Sequence, residues 1–183
     1  MVSTLAATTA AVWVTPSIIG LDRAAAAQGS APNAPAIAGN GTFATLTAGE
    51  SLRPNSAQYS SNTQFFVFNE SITTLTSPYV AGSGDTVPAG QPIFSYLIHF
   101  SPATTNSLVT GTVTFPGTIV GYDSREADLR GGDAQFGCPG VNYGTSRRQL
   151  EGSDTANFTL PSTVDLSLFA NPAFNDQVRV FVI

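Results

Sequence analysis

Charged residues are concentrated in one part of this chain. Only 10% of the 183 residues are charged, against roughly 25% in an average soluble domain. Yet six of the twelve acidic residues and four of the seven basic residues, which are all arginines, lie between Asp123 and Asp154. Carboxylates and guanidinium groups at this density predict a metal site, a catalytic acid–base pair or a set of ion pairs.

Calcium binding is one chemistry open to these carboxylates. Calcium takes carboxylate and carbonyl oxygens from irregular loops, and this stretch is also rich in glycine and asparagine. No contiguous D-x-D-x-D pattern is present, so the set is not specific to one known calcium loop. The candidate ligands are Asp123, Asp128, Asp133, Glu151 and Asp154. The sequence suggests no other cofactor.

We favour the alternative that arginines neutralise these acids in structural ion pairs. Arginine binds a carboxylate through two parallel hydrogen bonds, which suits the fixing of a long connection. The candidate residues are Glu151, Arg179, Arg147 and Arg148. Glu151 with Arg179 is the best single pair, so we expect Arg179→Ala to lower the melting temperature by several degrees.

Two catalytic arrangements remain open from residue types alone. His99 and Cys138, the only histidine and cysteine, would form a nucleophilic dyad if they were in hydrogen-bond contact. Two carboxylates about 5–9.5 Å apart would hydrolyse a glycoside. That pair would come from Glu70, Asp133, Glu151 and Asp154. Both arrangements require a geometry that the sequence does not give, and we predict that the protein is not an enzyme.

The elements that must position these residues are short strands. Nine runs with strand composition alternate with turns that contain Gly, Pro, Asn or Asp. They are residues 42–47, 63–68, 71–76, 92–100, 108–115, 118–122, 156–160, 163–168 and 177–183. The sequence has no long helical pattern. We therefore predict an all-β fold, a two-sheet antiparallel β-sandwich (jelly-roll-like) that spans residues 42–183.

The pattern within the runs also predicts which faces are buried. In residues 108–115 the face with Val109 and Val113 should point into the core, because polar residues occupy the other face. Residues 92–100 are apolar on both faces, which is typical of a central strand covered on both sides.

One short helix is predicted inside the long connection between strands. Asp123 and Glu126 have the spacing of a capping box, and Gly131 suits the position that follows a helix end. About two turns of helix would need packing to be stable. Leu129 is the expected anchor of this helix.

The first 41 residues predict export. Residues 1–27 contain a moderately apolar run that ends in four alanines, which is the pattern of a cleavable signal. The weak hydrophobicity of this run resembles an actinobacterial twin-arginine signal. Because no arginine precedes the run, we expect the true start, with the arginine pair, to lie upstream of Met1. Residues 28–41 have the composition of a flexible linker. We expect an extracellular or cell-surface protein with no stable membrane span after processing.

Short motifs follow one another in a fixed order from Phe68 to Val182. They read FNE, SYLIHFSP, GTVTF, GGDAQFGCPGVNY, RRQLEGSD and DQVRVFV. This order resembles a group of exported bacterial surface proteins common among PEP-CTERM (exosortase-sorted) proteins. The resemblance implies a secreted or surface-attached β-sandwich and brings no catalytic residues. This chain differs by lacking the sorting tail and by having Ser101 where the group often has Asp.

These observations predict a secreted or cell-surface, non-enzymatic module with a structural or adhesion role. Its partner would be a glycan or protein of the cell surface or matrix. A net charge of −5 without a basic run argues against nucleic acid. The alternatives are a glycan-binding module, with calcium assistance, and a secreted glycoside hydrolase. Sugar stacking would use tyrosines exposed on one face, chosen from Tyr59, Tyr79, Tyr96, Tyr122 and Tyr143.

Overall fold

The computed structural model describes residues 34–54, 56, 58–145 and 147–183. The predicted export signal and the first six residues of the predicted linker lie outside the described residues. Within the described ranges, no helix combines the length and the apolar character that a membrane crossing requires.

Two packed sheets form the body of the molecule and confirm the all-β sandwich. In spatial order, the four-stranded sheet contains β1 (Ala36–Gly39), β7 (Ser107–Thr114), β10 (Thr163–Ala170) and β9 (Thr155–Thr159). The five-stranded sheet contains β2 (Gly41–Thr45), β3 (Phe65–Thr74), β6 (Pro92–Phe100), β11 (Asp176–Val182) and β8 (Ile119–Asp123). A two-stranded ribbon, β4 (Tyr79–Val80) with β5 (Thr86–Val87), and one helix, α1 (Glu126–Phe136), complete the described fold.

The main core lies between the two sheets and follows the predicted alternation. In β7, Val109 and Val113 are buried in this core, whereas Leu108 on the other face is 58% exposed. Strand β6 lies at the centre of the five-stranded sheet. Its Tyr96 enters the core between the sheets, and its Leu97 packs in a second cluster on the opposite face. The prediction of a doubly covered central strand is therefore confirmed.

The fold begins earlier than the predicted boundary at residue 42. Strand β1 pairs with β7, and Ile37 lies opposite Val113 and packs against the core. The linker prediction is therefore wrong for residues 36–41. Ile37 is the one large apolar residue in this segment, so the sequence showed no alternation of apolar and polar residues that would indicate a strand. Strand β2 pairs in parallel with β3, which is the one departure from the antiparallel prediction among the strands that the structure describes.

The predicted runs 63–68 and 71–76 form a single strand, β3. Its pairing with β6 shifts between Asn69 and Ser71, so that Glu70 is the extra residue of a β-bulge. As a result, Glu70 and Ser71 both reach the face that points away from the other sheet, where Glu70 bonds Arg179 and Ser71 Oγ bonds the carbonyl of Phe136.

Helix α1 and the connection after it cover that face of the five-stranded sheet. We call residues 124–149, as far as they are described, the outer layer. Leu129 of α1 is fully buried between this layer and the sheet, as predicted for the anchor of the helix. The predicted capping box is absent, because the N-cap residue is Arg125 and has no side-chain capping bond. The helix also continues through Gly131 to Phe136 rather than ending at Gly131.

Candidate functional site

The centre of the outer layer is a buried ion pair between Arg179 and Glu70. The Arg179 Nε and Nη2 atoms donate to the two carboxylate oxygens of Glu70 at 2.6 and 2.9 Å. Both side chains are completely buried. Burial alone would lower the pKa of Arg179, but the charges and hydrogen bonds of Glu70 and Asp133 raise it, so the guanidinium stays protonated.

Helix α1 is bound to the same arginine through two of its groups. Arg179 Nη1 donates to the carbonyl oxygen of Leu129 at 2.9 Å, and Nη2 donates to Asp133 Oδ1 at 2.9 Å. Asp133 also accepts two bonds from the buried Arg148, at 2.6 and 3.0 Å. Two arginines and two acids therefore form one network with balanced charge, which we call the arginine network: Glu70, Asp133, Arg148 and Arg179.

A chain of neutral groups continues the arginine network along the sheet. Arg148 Nε donates to Gln177 Oε1 at 2.8 Å, which orients the amide so that its Nε2 donates to His99 Nδ1 at 3.0 Å. Burial, with Arg148 nearby, lowers the pKa of His99 to about 3. His99 is therefore a neutral, hydrogen-bonded residue of the structure at physiological pH.

Tyr143 closes the arginine network from the loop that follows α1. The guanidinium carbons of Arg148 and Arg179 lie 5.2 and 5.7 Å from the centre of its ring, within the range of cation–π attraction. Its hydroxyl accepts the backbone N–H of Cys138 at 2.6 Å. Burial and the adjacent charge of Glu70 raise its pKa, so the ring is held as a neutral phenol.

Three of the five predicted calcium ligands belong to this region. Asp133 is part of the arginine network. Asp123 accepts bonds from the Tyr79 hydroxyl and the Gly82 N–H at 3.0 and 2.7 Å, and burial raises its pKa. Asp128 lies against Gly82, where the absence of a Cβ leaves room for its carboxylate.

The other two predicted ligands lie in a separate cluster with Asp176. Glu151, Asp154 and Asp176 each place one carboxylate oxygen within 4.8 Å of those of the other two. The five candidate ligands therefore do not lie in one group: Glu151 and Asp154 lie with Asp176, apart from the other three. The predicted Glu151–Arg179 pair is wrong, because Arg179 is bonded to Glu70 and Asp133.

Of the adjacent Arg147 and Arg148, both predicted to form ion pairs, the structure shows such a pair for Arg148, with Asp133. The Arg147 guanidinium instead donates to the carbonyl of Ala173 at 3.4 Å and lies 5.2 Å from the centre of the Phe174 ring. Arg147 therefore fixes the loop before β11 by backbone and ring contacts.

The residues of the two catalytic alternatives are engaged in other contacts. His99 bonds Gln177, and Cys138 packs with the apolar cluster under α1 and faces the carbonyl of Leu46. Glu70 and Asp133 are held by arginines. The acidic cluster with Glu151 brings carboxylates together, but its Asp176 is fully buried.

The tyrosines proposed for sugar stacking all have internal roles. Tyr59 bonds Glu50 and lies edge-on to two phenylalanines. Tyr79 bonds Asp123, and Tyr96 lies in the main core. The half-buried Tyr122 stacks on Phe158 with ring centres 3.9 Å apart. Tyr143 packs against the two arginines of the arginine network, so all five rings hold elements together.

A groove of about 820 Å³ lies where the end of β3 meets the loop after α1. Residues 71–74, 133–135 and 137–144 form its walls. The lining combines apolar side chains, such as Ala134, Pro139 and Val141, with hydroxyl groups, amide groups and glycine backbone. The one acidic side chain in the wall, Asp133, is already bonded to two arginines. The groove is therefore close to neutral.

Comparison of the chain with models of protein families, with curated proteins and with solved structures gave no match.

Sequence reasoning missed Asp176 and Gln177 as members of these sites. Asp176 had a readable signal, because it shares the alternating face of β11 with Val178 and Val180, which are buried in the main core. An aspartate on a core-facing row requires a partner. Gln177 gave no such signal, since its role depends on the outer layer that lies over β11.

Proposed function

We propose that this protein is a secreted or cell-surface, non-enzymatic β-sandwich with a structural or adhesion role. The observation that supports this most is the arginine network. Its two arginines and two acids bind each other and the backbone of α1, so these charges fix the outer layer to the sheet. Charges used in this way stabilise a rigid surface and are not presented to a substrate.

The groove beside the outer layer gives this surface a place for contact with a partner. Its nearly neutral wall combines apolar surface with hydroxyl, amide and backbone groups, which suits an uncharged polymer that packs and hydrogen-bonds along its length. A neutral glycan of the cell envelope or matrix has this chemistry, which makes glycan binding the second candidate function. The internal roles of the five tyrosines weigh against a stacking platform, so binding would depend on hydrogen bonds.

A binding experiment with a matched pair of variants tests this proposal. We expect the purified full chain to co-sediment with protein-depleted envelope or matrix of the producing organism and to release no sugar from glycoside substrates. Ala134→Asp, at an exposed residue of the groove wall, places a charge in the groove and should reduce binding at least tenfold. Leu108→Asp, at a residue that is 58% exposed on the other sheet, should leave binding unchanged.

The same experiment separates the alternatives. Competition by soluble glycans would support the glycan-binding candidate. Glycoside hydrolysis that is lost in Glu151→Gln would contradict the proposal and favour the hydrolase. Recovery of the native protein in the cytoplasmic fraction of the producing cells would contradict the cell-surface location.

A further inference from the structure

Three carboxylates meet where the two sheets approach each other at one end of the sandwich. Asp176 is the first residue of β11 in the five-stranded sheet. Glu151 and Asp154 belong to the turn before β9 in the four-stranded sheet. Asp154 fixes this turn, because it accepts the N–H of Glu151 at 2.6 Å and the N–H of Phe169 in β10 at 2.8 Å.

Asp176 is the member of this cluster that points to a ligand. Its side chain is completely buried, and among the described residues neither carboxylate oxygen receives a permanent N–H or O–H donor. The one hydrogen bond open to it is a proton shared with the Glu151 carboxyl. The Oε1 atom of Glu151 is buried without a donor as well. An ionised carboxylate in such a place is strongly unfavourable unless a proton or a cation compensates it.

The buried arginines do not provide that compensation. Arg148 and Arg179 point to the opposite face of β11, where Glu70 and Asp133 bind them. The neighbours of Asp176 in the cluster are acids. Burial raises the pKa of Asp176 to about 9, and the negative charges of Asp154 and Glu151 and a hydrogen bond with Glu151 add to this rise. A bound cation would relieve both the burial and the repulsion.

We infer that Glu151, Asp154 and Asp176 bind a calcium ion that joins the start of β11 to the turn before β9. The three ligands offer only carboxylate oxygens, which calcium and magnesium prefer. Calcium–oxygen distances of about 2.3–2.6 Å allow opposite ligands to lie roughly 5 Å apart. The ligand oxygens lie within 4.8 Å of one another, which a calcium ion can span. Magnesium demands near-ideal octahedral geometry and is usually held by one or two carboxylates, so a set of three carboxylates favours calcium.

Such an ion would have a structural role. It would connect the two sheets at an end where the turn is otherwise held by hydrogen bonds of Asp154. The inference is independent of the proposed adhesion function, since it concerns the stability of the sandwich and not the groove.

Thermal unfolding of the full chain tests the inference. After treatment with a chelator, about 5 mM calcium chloride should raise the melting temperature by about 2–8 °C relative to sodium chloride of equal ionic strength, for a dissociation constant of roughly 10⁻⁴–10⁻³ M. Titration calorimetry should give one calcium per chain. Asp176→Asn and Glu151→Gln should abolish both signals, and circular dichroism of these variants verifies that they fold.

Asp165→Asn is the matched control, because Asp165 is an exposed carboxylate of β10 that bonds Thr112 outside the cluster. It should retain the full calcium effect. No calcium-dependent shift in the wild type, or an equal shift in Asp176→Asn, would overturn the inference. An equal shift with magnesium would overturn the assignment to calcium.

Discussion

Arg179 is a fully buried cation, and its bonds determine where α1 lies. Removing a guanidinium and a carboxylate from water costs several kcal/mol for each ion, and only good geometry offsets that cost. Here Glu70 provides the bidentate pair, and two groups of α1, the Leu129 carbonyl and the Asp133 carboxylate, use further N–H groups. A shift of the helix along the sheet would leave these donors unpaired, so the arginine network specifies one position of the outer layer.

Removing the Arg179 side chain should be much more costly than removing an exposed arginine. Arg179→Ala leaves the Glu70 carboxylate buried without its partner, and we expect the free energy of unfolding to fall by about 3–5 kcal/mol. Arg130→Ala, which removes the exposed pair with Glu126, should cost less than about 0.5 kcal/mol. Urea denaturation followed by circular dichroism measures both values. Equally small effects would mean that the buried pair does not hold the layer.

At the scale of elements, α1 depends on two adjacent glycines with opposite surroundings. A Cβ on Gly132 would lie 2.9 Å from Arg179 Nη1, whereas a Cβ on Gly131 would meet no atom within 4 Å. Glycine is a poor helix former, so its presence at Gly132 is explained by the close approach of the helix to the arginine. The contact requires a residue without a side chain.

Alanine substitutions at these two positions should therefore have opposite signs. Gly131→Ala should stabilise the protein by up to about 1 kcal/mol, because alanine favours the helix and no contact opposes it. Gly132→Ala should destabilise it, since Arg179 or the helix must move. The difference in urea midpoint between the two variants measures the effect. Stabilisation by Gly132→Ala would show that α1 does not rest on Arg179.

The strands were predictable from sequence because alternation is a local property. The alternation in residues 108–115 predicted that Val109 and Val113 of β7 are buried. The two apolar faces of residues 92–100 predicted a central strand, and neither prediction needed knowledge of the neighbouring strands. The partners of the ions were not predictable. Glu70 and Arg179 are 109 residues apart and meet because β3, β6 and β11 are adjacent and a bulge turns Glu70 outward. The sequence favoured Glu151 as the partner of Arg179. Glu151 instead lies beside Asp176, on the face of β11 opposite to Arg179.

At the scale of the whole molecule, the protein is a sandwich with a third, partial layer. The five-stranded sheet is buried on one face by the four-stranded sheet. On the other face it is covered by α1 and the residues after it, by Leu46 and Leu52 from the segment after β2, and by the β4–β5 ribbon. The central claim is that this outer layer is an integral part of the fold, attached by the arginine network. A long connection that is fixed in this way presents a constant surface, which suits an adhesion or structural role.

Hydrogen exchange of the native full chain tests this claim most directly. The N–H groups of Leu129, Gly137 and Leu150 bond to backbone carbonyls within and around the outer layer. The account predicts that they exchange with protection comparable to that of β6 and β11, because opening the layer would require breaking the buried ion pairs. Rapid exchange of these amides, while both sheets stay protected, would contradict it.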